Sequence, residues 1–533
     1  MSRTFRICST SDTHGHIFPV DYATDAFKPC GLLDIAADVH ALAAQPGPDG
    51  EPIPTIALDA GDTLQGTPYS QLFVAGDASE EDRAATRGLP HPIAAAFNAV
   101  GYQFVTLGNH DFNYGRGAIA AYLDALDARC VCANVRDLTG QLPIARYAFL
   151  DLPNGIRLGV TGLVTDWVNV WEAPAHLRGL EVTDTLAAAR EMSDFLRPRC
   201  DVSVCIYHGG YERDVKTGAV FSETTENRAW QIAHDLDFDV LISGHQHISM
   251  PGATINGTAT VQTCATATEF AELICTLEDD GSFHATSRLV PVGDRHEDEP
   301  YATLLPYEER TEHWLTGPVG TLTRAIPDQT HLDVAMHGSE LAALFNAVQL
   351  DASGARIAAA SLTGVGVGSG FPQTVTRSAV VEAYPFANTL AVLAVTPDAL
   401  KAALERCAEY FDLDEDGRPC VSTRFLKPKV EHYNYDYYAG LAYTFDLTKP
   451  VGSRVTSLTL ADGSPLPDGP IELCVNSYRA SGTGGYEALA ACPVVRTIDE
   501  SMQELIVRYL ERHSPWAPHA DGPTAVVTDR RRS

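Results

Sequence analysis

The sequence predicts an α/β protein of two domains, a layered α/β domain followed by a second mixed α/β domain. From Phe5 to about Val290, short apolar strands alternate with Ala-rich helical segments, the pattern of sheets covered by helices. The alternation stops in the charged, proline-bounded stretch PYATLLPYEERTEHWLTGPVG and resumes after Asp328. At 533 residues the chain also exceeds the size at which one hydrophobic core stops growing. These observations place a first domain at 1–297, a helical connector at 298–328, a second domain at 329–515 and a loose, Pro-bearing tail at 516–533.

Composition narrows the function. Hydrophobic residues make up 45% and charged residues 20%, a balance that can bury a core. Asp and Glu number 69 against 38 Lys and Arg, for a net charge of −31. A surface this acidic repels nucleic acid polymers and anionic membranes, which are held by neutralising phosphates with Lys and Arg. Small nucleotides stay compatible, because bound metal cations can supply positive charge locally. The chain shows neither an apolar run of signal-peptide length at its start nor a stretch of membrane-spanning length, so a soluble, cytoplasmic protein is expected. Cys8, Cys205, Cys264, Cys275 and Cys474 lie in apolar, strand-like runs and are expected to be buried free thiols. Cys130 and Cys132 have no second pair to complete a zinc knuckle.

The chemistry lies where strands end. The strand Phe5 to Thr10 is followed by SDTHGH, with Asp12 and His14, and the strand Thr55 to Ala60 by Gly61 and Asp62. Tyr102 to Leu107 leads into GNHDFNYG, with Asn109, His110, Asp111 and Asn113. Val202 to Tyr207 delivers His208, and Phe238 to Ile242 delivers SGHQH with His245 and His247. In open α/β sheets the carboxyl ends of strands line one crevice, so these scattered groups converge. Carboxylate, imidazole and amide without thiolate suit two divalent ions such as zinc, manganese, iron or cobalt. Two ions about 3.5–4 Å apart need a shared carboxylate to offset their repulsion, and Asp62 is the candidate bridge. His16, His234 and His337 fit no slot and are read as structural.

The blocks SDTHGH, LDAGDTLQG, LGNHDFNYG, YHGGYE and SGHQH resemble those of the calcineurin-like metallophosphoesterases, specifically the 5′-nucleotidase superfamily. The likeness continues through VEAYPFANTL, EHYNYDYYAGLAYTFDLTKPVGSRV and NSYRASGTGGYEAL, of which the latter two look most like the bifunctional 2′,3′-cyclic-nucleotide 2′-phosphodiesterase/3′-nucleotidases. The resemblance implies a four-layer α/β/β/α first domain. It assigns Asp12, His14, Asp62 and His247 to a first metal, and Asp62, Asn109, His208 and His245 to a second. It sets His110 beside the scissile phosphate, where it stabilises charge or donates a proton. Asn113 stands where 5′-nucleotidases carry an Asp, so here it can orient the His110 ring without holding it charged.

The resemblance also implies that Phe386 and Tyr486 clamp a nucleotide base between flat rings. Tyr486 sits in a Gly-rich run that reads as an exposed loop. The substrate loop that carries arginines in 5′-nucleotidases corresponds to AAASLTGVGVGSGFPQT, with no arginine between Arg356 and Arg377. A 5′-nucleotide would lose its charged clamp, which favours the cyclic phosphodiesterase reading. A 5′-nucleotidase or UDP-sugar hydrolase is the alternative, and a non-catalytic binding protein on the same fold is the reading from another class.

Overall fold

The computed structural model describes residues 2–22, 26–47, 50–220, 222, 224–362, 370–385, 388–427, 430–498 and 500–528. The chain divides into two compact units, Met1–Glu312 and His313–Ser533, and the division falls inside the helix Asp298–Thr316. Among the described residues no helix is long and apolar enough to cross a membrane.

The main strands of the first unit begin with β1 (Arg3–Thr10), β2 (Thr55–Asp59), β3 (Phe104–Val105), β4 (Arg129–Val131) and β5 (Ile144–Ala145). Next come β6 (Tyr147–Asp151), β7 (Arg157–Val164), β8 (Val202–His208) and β9 (Val240–Ser243). The last are β10 (Met250–Ile255), β11 (Thr258–Gln262), β12 (Glu269–Leu277) and β13 (Phe283–Pro291). One sheet has the order β13-β12-β1-β2-β3-β4-β5 and the other β10-β11-β9-β8-β7-β6.

The period-two geometry of a strand explains the layering. Val202, Val204 and Ile206 of β8 join Phe5, Ile7, Ile56, Leu58 and Phe104 in a core between the two sheets. Cys205 and Tyr207 of β8 belong to a second cluster with Ala188, Ala189, Met192 and Leu196 of the helix Thr185–Leu196. On the other sheet, Arg6 turns away from the shared core and donates to the Leu42 carbonyl of the helix Leu32–Ala43 at 2.5 Å. Helix, sheet, sheet and helix are therefore stacked in four layers. Each buried Val, Leu, Ile or Phe between the sheets contributes about 1.5–3 kcal/mol, which makes this sandwich the rigid base of the site.

In the second unit, β14 (Ile357–Ser361), β15 (Leu390–Val395), β16 (Asp436–Ala439), β17 (Ile471–Asn476) and β18 (Val494–Ile498) form a sheet in the order β16-β14-β17-β15-β18. Its polar anchor is Arg479, which donates from Nε to Asp436 Oδ2 at 2.7 Å and from Nη2 to Oδ1 at 2.8 Å. Both side chains are 2% exposed, and Nη1 also donates to the Thr483 carbonyl at 2.7 Å. Arg479→Met would leave the Asp436 carboxylate buried and uncompensated. It is expected to cost about 3–5 kcal/mol in urea unfolding of the second unit; a loss below about 1 kcal/mol would contradict this account.

Two expectations need correction. Residues 516–528 are not loose: Trp516 is buried, and Ala525–Val527 pairs in parallel with the strand Leu441–Asp446. An indole and a short apolar strand offset the ordering entropy that the surrounding polar residues alone would not. Cys264 is only half-buried, because β11 ends at Gln262 and the thiol falls in the loop beyond, donating to the His247 carbonyl at 3.3 Å. Cys8, Cys205, Cys275 and Cys474 are buried free thiols, as are Cys130 and Cys132.

Candidate metal centre

Parallel pairing of β1 with β2 and of β2 with β3 brings their carboxyl ends to one edge of the first sheet. Parallel pairing of β8 with β9 does the same in the second. Asp12 and His14 follow β1, Asp62 follows β2, Asn109 and His110 follow β3, His208 ends β8, and His245 and His247 follow β9. Seven of these eight side chains, scattered over the chain, gather into one network through the contacts below, and His245 joins it through Asp12 and His208.

Two groups emerge. Ligand-type atoms of Asp12, His14 and His247 lie within 4.8 Å of one another, and so do those of Asp62, His208 and His245. Asp62 stands between the groups, its Oδ2 3.9 Å from His14 Nε2 and 3.2 Å from His208 Nε2. Asn109 Oδ1 is 3.1 Å from His208 Nε2, and His247 Nε2 is 3.3 Å from Asp12 Oδ1. The His110 ring lies 5.5 Å from that of His14, and its backbone N–H donates to Asp62 Oδ1 at 2.7 Å.

The donor set fits divalent cations on the evidence of its tautomers. His14 donates from Nδ1 to the Gln65 carbonyl at 2.8 Å, and His208 from Nδ1 to the Ala60 carbonyl at 2.7 Å. A proton fixed on Nδ1 leaves the Nε2 lone pair turned inward, as metal-ligating histidines require. His14 Nε2 lies 3.1 Å from His247 Nε2 in this arrangement.

The backbone is bent to achieve it. Asp12, His14, Asp62, His245 and His247 have φ of 54°, 49°, 59°, 77° and 56°. The left-handed region costs a non-glycine residue on the order of 1–2 kcal/mol, a strain that concentrates at functional sites. The loops also touch closely: a Cβ on Gly108 would stand 2.2 Å from Asp62 Oδ1, so only glycine fits. Asp111 pins the Asp62 loop by accepting N–H groups from Asp62, Thr63, Leu64 and Gly108 at 2.7–3.1 Å.

Electrostatics follow from packing charges without water. Burial by itself raises the Asp12 and Asp62 carboxyls. The His247 hydrogen bond and the His208 charge reverse this for Asp12, and the His208 and His110 charges reverse it for Asp62, holding both well below the ordinary range. Burial lowers His14 to about 4. For His208 burial is outweighed by the charge and hydrogen bond of Asp62, which push it up to about 10. Without a cation, protons hold the carboxylates and imidazoles together.

The chain is similar to known proteins. The calcineurin-like phosphoesterase profile covers residues 5–249, and the 5′-nucleotidase C-terminal domain profile covers residues 318–491. The chain is a calcineurin-like phosphoesterase with a 5′-nucleotidase C-terminal domain. This phosphoesterase is 24% identical to a 2′,3′-cyclic-nucleotide 2′-phosphodiesterase/3′-nucleotidase of Salmonella typhimurium, over 92% of the chain and 84% of that protein. It is 23% identical to the trifunctional nucleotide phosphoesterase YfkN of Bacillus subtilis, over 98% of the chain but only 39% of that relative's length. A solved structure of a proposed 5′-nucleotidase from Staphylococcus aureus superposes with a TM-score of 0.83 at 28% identity, covering 98% of this chain and 100% of that one. Members of the family use divalent metals, and the two side-chain groups are where such ions could sit.

The aromatic expectations of the second unit fare differently. Phe386, like the glycine-rich residues 363–369, lies outside the described residues. Tyr486 is not on an exposed loop. It is 1% exposed, its ring carries the Arg479 guanidinium at 3.9 Å, and its hydroxyl donates to the Asn434 carbonyl at 3.0 Å. The surrounding glycines serve close packing, and as placed the ring offers no free face to a base. The histidines read as structural have local partners: His16 and His337 bond backbone carbonyls, and His234 stacks on Trp230.

Residues that sequence reasoning did not reach surround the site. Glu226 Oε1 is 3.0 Å from His245 Nε2, Trp171 stacks on His245 at 5.5 Å, and Glu172 accepts from Asn113 Nδ2 at 2.7 Å. They lie in connecting segments with no metal-ligand spacing, so only the fold reveals them. Asp111, by contrast, stands in GNHDFNYG among the groups that the sequence places at the end of its strand.

Proposed function

We propose that this phosphoesterase opens 2′,3′-cyclic nucleotides at the 2′ oxygen and then hydrolyses the resulting 3′-nucleotide to nucleoside and inorganic phosphate. The observation that carries the reading is the position of Asp62 between the two ligand groups with His110 beside them. In this reading Asp12, His14, Asp62 and His247 hold one divalent ion, and Asp62, Asn109, His208 and His245 hold the other. When bound, such ions lower the pKa of coordinated water toward about 7 and offset charge on the phosphoryl oxygens.

The remaining work belongs to the chain. His110, with Nδ1–H donated to Asn113 Oδ1 at 2.8 Å, keeps Nε2 for the leaving oxygen; in its doubly protonated form the ring gives the Nε2 proton to that oxygen as the P–O bond breaks and is left neutral with Nδ1–H. Asp62 positions the His110 backbone, so bridge and acid move as one body. The relative from Salmonella typhimurium supports the cyclic substrate, as does the absence of arginine between Arg356 and Arg377. The likeness to the Staphylococcus aureus protein favours a second reading, 5′-nucleotidase. A non-catalytic role is disfavoured, since carboxylates and imidazoles buried this deeply are costly to keep unless a cation uses them.

Initial rates on cyclic 2′,3′-AMP, 3′-AMP and 5′-AMP, with manganese, zinc or cobalt added, test the choice. The first two are expected to exceed 5′-AMP in kcat/KM by about tenfold or more, corresponding to about 1.4 kcal/mol of differential transition-state binding. A preference for 5′-AMP would transfer the conclusion to the second reading.

A further inference from the structure

We propose that Glu172 is a positioning residue for His110, acting through Asn113, and that the single helical turn Val168–Trp171 ending at Glu172 supports both halves of the centre. The inference rests on the proposed role of His110.

Four hydrogen bonds carry the argument. His110 Nδ1 meets Asn113 Oδ1 at 2.8 Å, Asn113 Nδ2 donates to Glu172 Oε2 at 2.7 Å, and Glu172 Oε1 accepts from His176 Nδ1 at 2.7 Å and from the Ala173 N–H at 2.9 Å. The Glu172 side chain is 8% exposed. An ionised carboxylate only accepts, so the Asn113 amide must turn its NH2 to Glu172 and its oxygen to His110. That oxygen in turn requires a proton on His110 Nδ1, which leaves Nε2 for the substrate. With the amide reversed, its carbonyl would face a carboxylate at 2.7 Å, a repulsive pairing. Glu172 therefore selects the amide orientation, and through it the imidazole tautomer. An asparagine at position 113 does this only if an acceptor stands behind it.

The neighbouring residues of the turn serve the other half. Trp171 lies against the His245 ring at 5.5 Å with an interplanar angle of 29°, and Trp167 Nε1 donates to Thr225 Oγ1 at 2.9 Å, next to the Glu226 that bonds His245. One short turn thus braces a candidate metal ligand and a candidate acid together.

Glu172→Ala, Glu172→Gln, Asn113→Asp and the double variant Asn113→Asp/Glu172→Gln would be assayed on cyclic 2′,3′-AMP at equal metal content. Glu172→Ala is expected to lower kcat about tenfold or more with KM within about twofold, as for supporting groups behind first ligands. Glu172→Gln should recover most of it, because its amide oxygen still accepts. Asn113→Asp should be impaired by carboxylate facing carboxylate, and adding Glu172→Gln should restore it. A kcat for Glu172→Ala within twofold of the parent, or a double variant no better than Asn113→Asp alone, would overturn the proposal; the second comparison stands even if Glu172→Ala does not fold. Independently of activity, ¹⁵N spectra of histidine-labelled protein at mildly alkaline pH should show His110 protonated at Nδ1 in the parent and a mixed or Nε2–H form in Glu172→Ala. An unchanged tautomer would refute the inference. If no phosphate ester is hydrolysed by the parent, the reading of function fails, and these spectra still decide the role of Glu172.

Discussion

Asp62→Asn is expected to lower turnover by about 10³-fold or more and to leave fewer than two ions per chain. Asp62 Oδ2 approaches His14 Nε2 and His208 Nε2 from between them, at 3.9 and 3.2 Å. Asparagine keeps the shape and even the possibility of accepting the His110 N–H, yet removes the charge that, on the proposed reading, offsets repulsion between two cations. Metal catalysis of this kind is worth several kcal/mol, and each 1.36 kcal/mol is a decade in rate. Metal analysis of the purified variant together with its steady-state rate checks the result. Two bound ions with a rate within tenfold of the parent would remove Asp62 from the bridging role.

Metal affinity is expected to rise about tenfold for each pH unit between roughly pH 6 and 9, or about 10³-fold in all, since each bound ion must displace protons from its ligands. The sign follows from His208. Its pKa in the metal-free fold is raised to about 10 by Asp62, against an ordinary value of 6.5. The stability that this protonated pair lends the metal-free protein is full below pH 6.5 and is lost as pH rises through about 10. Asp62 is depressed, so it stays ionised throughout and its contribution fails only in strong acid. A cation therefore competes with the His208 proton over the whole neutral range. Calorimetric titration with manganese in two buffers of different ionisation heat should report close to one proton or more released per chain; release near zero would mean that His208 is not a ligand.

Much of the site was legible because a strand end is a local event. A run such as Val202 to Tyr207 followed by His208, or SGHQH after Phe238 to Ile242, declares in a few residues both the strand and the polar group at its tip. The structure brings Asp12, His14, Asp62, Asn109, His110, His208, His245 and His247 to one edge of paired sheets, as that pattern requires. The outer support was not legible. Glu172, Trp171 and Glu226 sit in segments that carry no metal-ligand spacing, and their importance comes from what other segments place against them. Nor did the residue types reveal that Asp12, His14, Asp62, His245 and His247 occupy left-handed backbone conformations. Tyr486 shows the opposite error: glycines suggested exposure, whereas here Gly484 and Gly485 admit Arg479, Asn434 and Arg406 at close range beside a ring that carries the Arg479 guanidinium.

The sequence by itself determined the alternation of strands and helices, the division into two units and the kinds of atom available to bind a cation, because each depends on residues near in the chain. Tertiary structure alone decided which carboxylate stands between the two histidine groups, which tautomer each imidazole adopts and which side chain stands behind Asn113. Those outcomes depend on hydrogen bonds between segments far apart in the chain, such as His208 with Ala60 or Asn113 with Glu172. Such bonds acquire partners only when the sheets have paired.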